Sequence, residues 1–185
     1  MIFHRTEIRV DGAEPDWSAA GDAIWGAYSG VFGLPDNRRI LLSTQPASTL
    51  TGIREFEILS RETLNATVRP ADATPATELL PAGASGGIYV FRRFAVAAAQ
   101  VEEFVALSAA AWKTFETDSA FTARALGLFE PLAGDDERNM LLVTWYPGFA
   151  AWEQSRSPNP SARENFQARR TLTRETSAIA VRSVR

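Results

Sequence analysis

Two adjacent arginines, Arg92 and Arg93, interrupt an apolar run and are the first candidates for chemistry in this sequence. A guanidinium presents a planar fork of N–H donors that matches a carboxylate or an enolate. Neighbouring side chains of a strand point to opposite faces, so a strand here places only one of the two in an interior. Because the sequence does not show which of the two this is, both are candidate ligand-binding residues for an acidic small molecule. The alternative is that each forms a structural ion pair.

His4 is the only histidine among 185 residues, and the chain has no cysteine. Imidazole titrates near neutral pH, so His4 is the best candidate for a catalytic general base, although a single histidine on a strand is more commonly structural. The lack of thiols excludes disulfides, thiolate metal sites and cysteine nucleophiles, and one histidine argues against a catalytic triad or zinc. We expect neither a metal nor a cofactor.

Aromatic residues supply further candidates near the arginines. Trp145 and Tyr146 end a predicted strand, where they either line the mouth of a pocket or support the following loop. Tyr89 lies on the strand that carries the two arginines and is also a ligand-binding candidate.

The charge and composition of the whole chain limit the class of protein. The net charge is −3 and 45% of residues are hydrophobic, which is typical of a folded domain rather than a disordered one. The basic pairs Arg38-Arg39 and Arg169-Arg170 are too short to form a nucleic-acid-binding stripe, and we expect both on solvated faces. No apolar run reaches the roughly 18 residues of a membrane span, and charges interrupt the N-terminal run. We expect a soluble cytoplasmic protein without nucleic-acid or membrane partners.

Short matches in a constant order indicate an internal duplication. Trp25 is matched by Trp112 at an offset of 87 residues, and Arg61 is matched by Arg174 at an offset of 113. Offsets that only grow along the chain are expected if the second copy gained insertions. The remaining matches are Gly30-Val31-Phe32 with Gly127-Leu128-Phe129, and Leu41-Leu42 with Leu141-Leu142.

The second copy has the clearer pattern of elements. Hydrophobic periodicity and turn residues predict, in order, a strand over 88–96, a helix from 100, strands over 122–130 and 139–146, helices over 149–156 and from 161, and a strand over 177–184. This order, β-α-β-β-α-β, is that of the ferredoxin-like unit. The sequence therefore predicts an α+β fold built from duplicated βαββαβ units.

The first copy fits the same order more loosely. The predicted elements are a strand over 2–10, a helix over 16–27, a hairpin over 30–34 and 39–45, a helix over 49–63 and a strand over 64–70. The second of these helices competes with a strand, because residues 54–58 also alternate. We divide the chain into halves at 1–70 and 87–185, with residues 71–86, rich in Ala, Pro, Thr and Gly, as a linker. In this alignment Arg5 corresponds to Arg92, and Thr6 to Arg93.

Two motifs resemble the NIPSNAP family: Tyr89-Val90-Phe91-Arg92 and Trp112-Lys113-Thr114-Phe115-Glu116. That family belongs to the dimeric α+β barrel superfamily, so the resemblance implies a barrel of ferredoxin-like sheets and a homodimer. It implies no particular reaction. Whether the barrel closes within one chain or between two chains stays open.

Two functions remain for such a barrel. The first is a small-molecule-binding or interaction protein without an assigned reaction. The alternative is a cofactor-independent enzyme of the small-monooxygenase type, acting on an aromatic or acidic molecule in the barrel lumen, with His4 or an arginine stabilising its anion. If the chain is an enzyme, we expect a cavity into which polar groups converge. If it is an interaction protein, we expect a lumen filled by side chains.

Overall fold

The strands of the protein form a single antiparallel barrel. The computed structural model describes residues 1–50, 56–69, 74–84, 86–117, 122–157 and 160–184. The strands are β1 (Ile2–Arg9), β2 (Ile24–Phe32), β3 (Arg38–Ser43), β4 (Glu57–Val68), β5 (Ile88–Ala97), β6 (Arg124–Pro131), β7 (Glu137–Tyr146) and β8 (Thr173–Ser183). The helices are α1 (Val101–Phe115), α2 (Phe149–Gln154) and α3 (Pro160–Thr171), with 3-10 turns at Trp17–Ala23, Ala47–Thr49 and Ala98–Gln100.

The strand order confirms the duplicated ferredoxin-like fold. Around the barrel the order is β1-β3-β2-β8-β5-β7-β6-β4, and β4 pairs with β1 to close it. Each half contributes four strands in the same relative order, β4-β1-β3-β2 and β8-β5-β7-β6. The halves join where β2 pairs with β8 and β4 pairs with β6. The barrel therefore closes within one chain, and the predicted homodimer stays a prediction.

The second half carries the predicted helices on its outer face. Phe104 and Trp112 of α1 belong to the same buried cluster as Leu128 of β6 and Met140 of β7. The apolar face of α1, spaced at three and four residues, is thus buried against the sheet as the periodicity predicts. Among the described residues, no helix is both long enough and apolar enough to cross a membrane.

The first half lacks the two helices predicted for it. The predicted helix over 16–27 is instead a 3-10 turn, Trp17–Ala23, followed directly by β2. Gly21 has φ +56° within that turn, which breaks the helical path. The predicted helix over 49–63 is wrong because β4 begins at Glu57, in agreement with the alternation over 54–58; residues 51–55 lie outside the described part of the chain.

The barrel also corrects the alignment of the two halves. Arg5 lies opposite Leu42, which belongs to the interior cluster, and Arg93 lies opposite Leu141, which belongs to the same cluster. Arg92 lies opposite Leu142, which packs beneath the helices. Arg5 therefore corresponds to Arg93 and not to Arg92, because a shift of one residue moves a side chain to the other face of a sheet.

The matched tryptophans are not equivalent either. Trp25 lies on β2 and packs inside the barrel, whereas Trp112 lies on α1 outside it. The tryptophan match was therefore accidental, and both residues serve in apolar cores as expected.

Aromatic side chains fill one end of the barrel interior. Phe3, Trp25 and Phe129 contact one another edge to face, with ring centroids 5.3 to 5.9 Å apart. Ala76 packs against this cluster, and its backbone N–H donates to the carbonyl of Trp25 at 2.9 Å. Residues 74–84 of the predicted linker thus cover this end, while the division into halves at 70 and 87 stays a prediction.

Candidate functional site

A large cavity lies outside the barrel, between its second half and the helices. It has a volume of about 700 Å³. Its floor is the outer face of β5, β7 and β8, and its roof is formed by α1, α2 and α3 together with the turn after α2. We call this space the helix-covered cavity. Its volume is within the usual range for sites that bind small molecules.

Arginines dominate the polar lining of the helix-covered cavity. One comes from β5, one from the turn after α2 and three from α3: Arg92, Arg156, Arg163, Arg169 and Arg170. No aspartate or glutamate is among the described lining residues. Such a lining favours an anionic ligand, because several guanidinium groups face one space and the described lining includes no carboxylate.

Arg169 is a buried guanidinium with mainly aromatic contacts. Its side chain lies 4.8 Å from the ring centroid of Phe94 and 5.1 Å from that of Phe166, and it is 7% exposed. Its Nη1 lies 3.5 Å from the hydroxyl of Ser108. Among the described residues, no carboxylate lies within 4.0 Å of it. Burial, with the charge of Arg92 adding to it, lowers the pKa of Arg169 to about 10.

Tyr146 lies at the end of β7 beside these arginines. It is buried, and burial raises the pKa of its phenol. Hydrogen bonding with Ser155 and the charges of Arg92 and Arg169 act in the opposite direction and are smaller. Tyr146 is therefore a neutral phenol at physiological pH.

Aromatic rings form the apolar walls. Phe115 of α1 and Phe166 of α3 contact edge to face at 5.5 Å. Trp152 of α2 also lines the cavity, and its indole N–H has no hydrogen-bond partner among the described residues. Aromatic walls and guanidinium groups together suit an aromatic anion.

The structure divides the predicted ligand-binding residues between two places. Arg92 and Tyr146 lie together in the helix-covered cavity. Arg93 points into the barrel, as alternation along a strand requires. Tyr89 and Trp145 are buried in the interior cluster, where the indole N–H of Trp145 donates to the carbonyl of Gly86 at 2.9 Å.

Arg93 occupies the polar end of the barrel interior and already has a partner. Its Nη1 donates to Oε1 of Glu62 at 2.9 Å, and its Nη2 donates to Oε2 of the same carboxylate. We call this end, which also holds Arg5, Glu7 and Arg38, the barrel mouth. The fork of Arg93 is therefore engaged in an ion pair between the two halves, which is the structural alternative considered from the sequence.

His4 is not brought together with the other candidates. It lies on β1 between Ser43 of β3 and Thr63 of β4, on the outward face that it shares with Thr6. It is absent from the described lining of both the helix-covered cavity and the barrel mouth. Elsewhere in the described part of the chain, no three histidine, aspartate or glutamate side chains cluster to hold a metal ion.

The arginines of α3 were missed by sequence reasoning. The pair Arg169-Arg170 was expected on a solvated face; Arg170 is exposed as expected, but Arg169 is buried. The signal was present in the spacing, because Arg163, Phe166 and Arg170 recur at intervals of three and four residues and so share one face of a helix. Arg163 and Arg170 are exposed, but both also line the cavity together with the half-buried Phe166.

The fold is similar to that of three solved structures. An anthrone oxidase-like protein aligns over 100% of this chain and 91% of its own, with 12% identity and a TM-score of 0.59. A "putative monooxygenase" from Lactobacillus acidophilus aligns over 98% and 93%, with 9% identity and a TM-score of 0.52. A protein of the same description from Fusobacterium nucleatum aligns over 100% and 92%, with 8% identity and a TM-score of 0.56.

These likenesses concern the whole chain but are remote in sequence. No family model and no curated protein sequence matches this chain, so membership of the NIPSNAP family stays a prediction. The chain therefore shares the α+β barrel fold of proteins described as monooxygenases and as anthrone oxidase-like, and at 8 to 12% identity it shares with them the fold alone.

Proposed function

We propose that this chain is a monooxygenase-type enzyme that oxidises an aromatic small molecule bound as its anion in the helix-covered cavity. The observation that carries the proposal is a cavity of about 700 Å³ with five arginines, aromatic walls and no carboxylate among its described lining residues. One structural neighbour is described as anthrone oxidase-like and two are described as putative monooxygenases, which agrees with an oxidation. They support the monooxygenase alternative more than a protein without a reaction.

The chemistry follows from holding an electron-rich anion beside dioxygen. Arg92 and Arg169 bind the phenolate or enolate oxygen and so lower the pKa of the bound substrate. The anion is oxidised by dioxygen, and a CH₂ group between two aromatic rings becomes a carbonyl. One oxygen atom enters the carbonyl, and the second leaves as water with the two hydrogens. The carbon loses four electrons and dioxygen accepts four, so the reaction balances without another reductant.

The lining also predicts how the rate depends on pH. Neither a carboxylate nor a histidine is among the described lining residues, so the substrate must ionise through its own acidity. Tyr146 is held neutral by burial and therefore does not remove the proton of the substrate. The rate should therefore rise with pH through the pKa of the bound substrate, and this pKa should lie below its value in solution.

The proposed site differs from the one expected from the sequence. The alternative placed the substrate in the barrel lumen, with His4 or an arginine stabilising its anion. The interior is instead packed by Phe3, Trp25, Phe129 and their neighbours. We place substrate binding in the helix-covered cavity because arginines coincide there with about 700 Å³ of open volume.

Oxygen uptake with 1,8-dihydroxyanthrone as the probe tests the proposal. We expect the protein to accelerate uptake and formation of the quinone, and Arg92→Met to lower kcat/KM by about tenfold or more, as expected for one charge-assisted contact. Arg182→Met is the matched control, because Arg182 is an exposed arginine of β8 that is absent from the cavity lining. If the protein binds the probe but the rate of oxygen uptake is the same with and without protein, the proposed enzymatic activity is contradicted.

A second candidate is a binding protein that does not turn its ligand over. The lack of a histidine or carboxylate among the described lining residues favours it, since no conventional general base is at hand. Quenching of tryptophan fluorescence by the probe separates the two, because Trp112 and Trp152 both line the cavity. The binding protein would be established if the probe quenches the fluorescence of wild type without oxygen uptake, and if Arg92→Met weakens this quenching.

A further inference from the structure

The barrel mouth carries more positive than negative charge. Arg5 and Arg38 approach Glu7 at 3.5 and 2.8 Å, and Arg93 is paired with Glu62. Three guanidinium groups thus face two carboxylates, which leaves a net charge of +1. The charge is partly shielded from water, because the side chains of Arg5 and Arg93 are 15% and 19% exposed.

Of the three arginines in the barrel mouth, Arg5 has the least compensated charge. Its only carboxylate partner within 4.0 Å among the described residues is Glu7, and Glu7 is closer to Arg38. A guanidinium has five N–H donors, so most of those of Arg5 have no carboxylate to bind. Burial lowers the pKa of Arg5, and the nearby charge of Arg93 lowers it further, against smaller opposing effects of Glu62 and Glu7.

A small cavity adjoins Arg5 inside the barrel. Its volume is about 130 Å³. Polar and apolar groups line it together: Arg5, Phe91, Arg93, Leu141, Ser177, Ala178 and Ile179. A cavity of about 150 Å³ is known to accommodate benzene, so this one limits its occupant to roughly six non-hydrogen atoms. The guanidinium requires an anion, and the apolar walls require a short hydrocarbon part.

We propose that the barrel mouth binds a short monocarboxylate of two to four carbons, with its carboxylate on Arg5 and its alkyl part against Phe91, Leu141 and Ile179. A carboxylate matches the planar donor fork of Arg5 and neutralises the remaining charge. Ile179 is half-buried, so the alkyl group removes its remaining apolar surface from water.

This site is separate from the helix-covered cavity and independent of the proposed function. The two linings share only Ser177 and Ala178 of β8, whose neighbouring side chains point to opposite faces of the sheet. The sheet formed by β5 and β8 stands between them. A carboxylate in the barrel mouth therefore has no contact with Arg92 or Arg169.

Line broadening of the NMR signal of ¹³C-carboxyl-labelled propionate, in buffer free of chloride and other carboxylates, tests the site. We expect saturable binding with a dissociation constant in the millimolar range, suited to so small a ligand. Arg5→Met should weaken it at least about tenfold, by removing the charge-assisted contact. Glu7 keeps Arg38 as its partner in that variant, so the fold should survive.

Two further variants keep the test decisive. Ser177→Phe fills the mouth from an exposed position on the interior face, so it should abolish binding without unfolding the protein, even if Arg5→Met fails to fold. Arg92→Met, in the helix-covered cavity, should leave propionate binding unchanged. The proposal is overturned if wild type shows no saturable binding, if Ser177→Phe binds like wild type, or if Arg92→Met is the variant that loses binding.

Discussion

Arg93 of β5 donates through both of its terminal nitrogens to both carboxylate oxygens of Glu62 on β4, across the interior of the barrel. These strands are not neighbours in the sheet, since β7 and β6 lie between them. The pair therefore links the two halves of the chain directly, in addition to the strand pairings. Its two side chains are 19% and 24% exposed, so it is screened less than a surface pair.

Removing either partner of this link should destabilise the fold. We expect Arg93→Met and Glu62→Leu each to lower the free energy of unfolding by about 1–3 kcal/mol, because each leaves a partly buried charge without its partner. The double variant should cost less than the sum of the two. Urea unfolding measures all three.

The exposed pair Arg9–Glu57 is a matched control for that experiment. Its side chains are 38% and 56% exposed. The two single variants and the double variant of this pair should therefore give an interaction energy between Arg9 and Glu57 below about 1 kcal/mol. A coupling at Arg93–Glu62 no larger than this would show that the link between the halves contributes little.

The three tyrosines should resist ionisation until the protein unfolds. Burial raises the pKa of Tyr28 well above its ordinary value, that of Tyr89 to about 12, and that of Tyr146. In the unfolded chain all three ionise near pH 10. The stability due to the neutral phenols is therefore complete below about pH 10 and is lost as pH rises toward the folded pKa values.

An alkaline titration followed at 295 nm and by far-UV circular dichroism measures this effect. We expect the tyrosinate signal of the native protein near pH 10 to be smaller than that of the unfolded chain, and to increase when the dichroism is lost. A tyrosinate signal as large as that of the unfolded chain near pH 10, with a native spectrum, would contradict the burial of these phenols.

Tyr28→Phe should stabilise the protein. The hydroxyl of Tyr28 is buried in the barrel core and has no hydrogen-bond partner among the described residues. Its removal relieves an unsatisfied polar group, worth about 1 kcal/mol, which for a chain of this size raises Tm by about 2–4 °C.

Tyr146→Phe is the control of opposite sign. The hydroxyl of Tyr146 is hydrogen bonded with Ser155 and Thr144, so its loss should lower Tm. Calorimetry of both variants decides the matter, and a fall in Tm for Tyr28→Phe would show that its hydroxyl has a partner after all.

Arg169→Met should separate stability from ligand binding. The side chain is buried and has no carboxylate partner among the described residues, so replacing its charge by an apolar group of similar length should raise the free energy of unfolding by about 1 kcal/mol. The same change should weaken binding of 1,8-dihydroxyanthrone about tenfold, since one charge-assisted contact is lost. Denaturant unfolding and fluorescence titration of the same preparation test both parts, and destabilisation with unchanged affinity would make Arg169 purely structural.

The sequence predicted the fold better than the site. The second half follows strong periodicity, and α1 was placed correctly because its apolar residues recur at helical spacing. The helix predicted over 49–63 was wrong because the repeat was given more weight than the alternating pattern that forms β4. Matches of two or three residues could not fix the alignment of the strands in the two halves. Arg5 was therefore aligned with Arg92, whereas its structural equivalent is Arg93.

The site depends on tertiary contacts that a sequence does not show directly. Arg92 and Tyr146 were candidates, but nothing in their spacing indicated that α3 would bring Arg169 over them. Arg93 was a candidate for the same reasons as Arg92. In the structure the two side chains lie on opposite faces of β5, and that of Arg93 is paired with Glu62 across the barrel. Which face of a strand a charge occupies decides here whether it binds a neighbour or a ligand.

Closure of the barrel within one chain has a consequence for how its surfaces can change. In a dimer of identical units, every substitution appears twice, and a cavity gained or lost beneath one sheet is gained or lost beneath the other. Here the two halves are free to differ. The first has strands where helices were expected, while the second keeps the helices that roof a cavity. Substitutions in the first half can thus adjust the stability of the barrel while the lining in the second half stays unchanged.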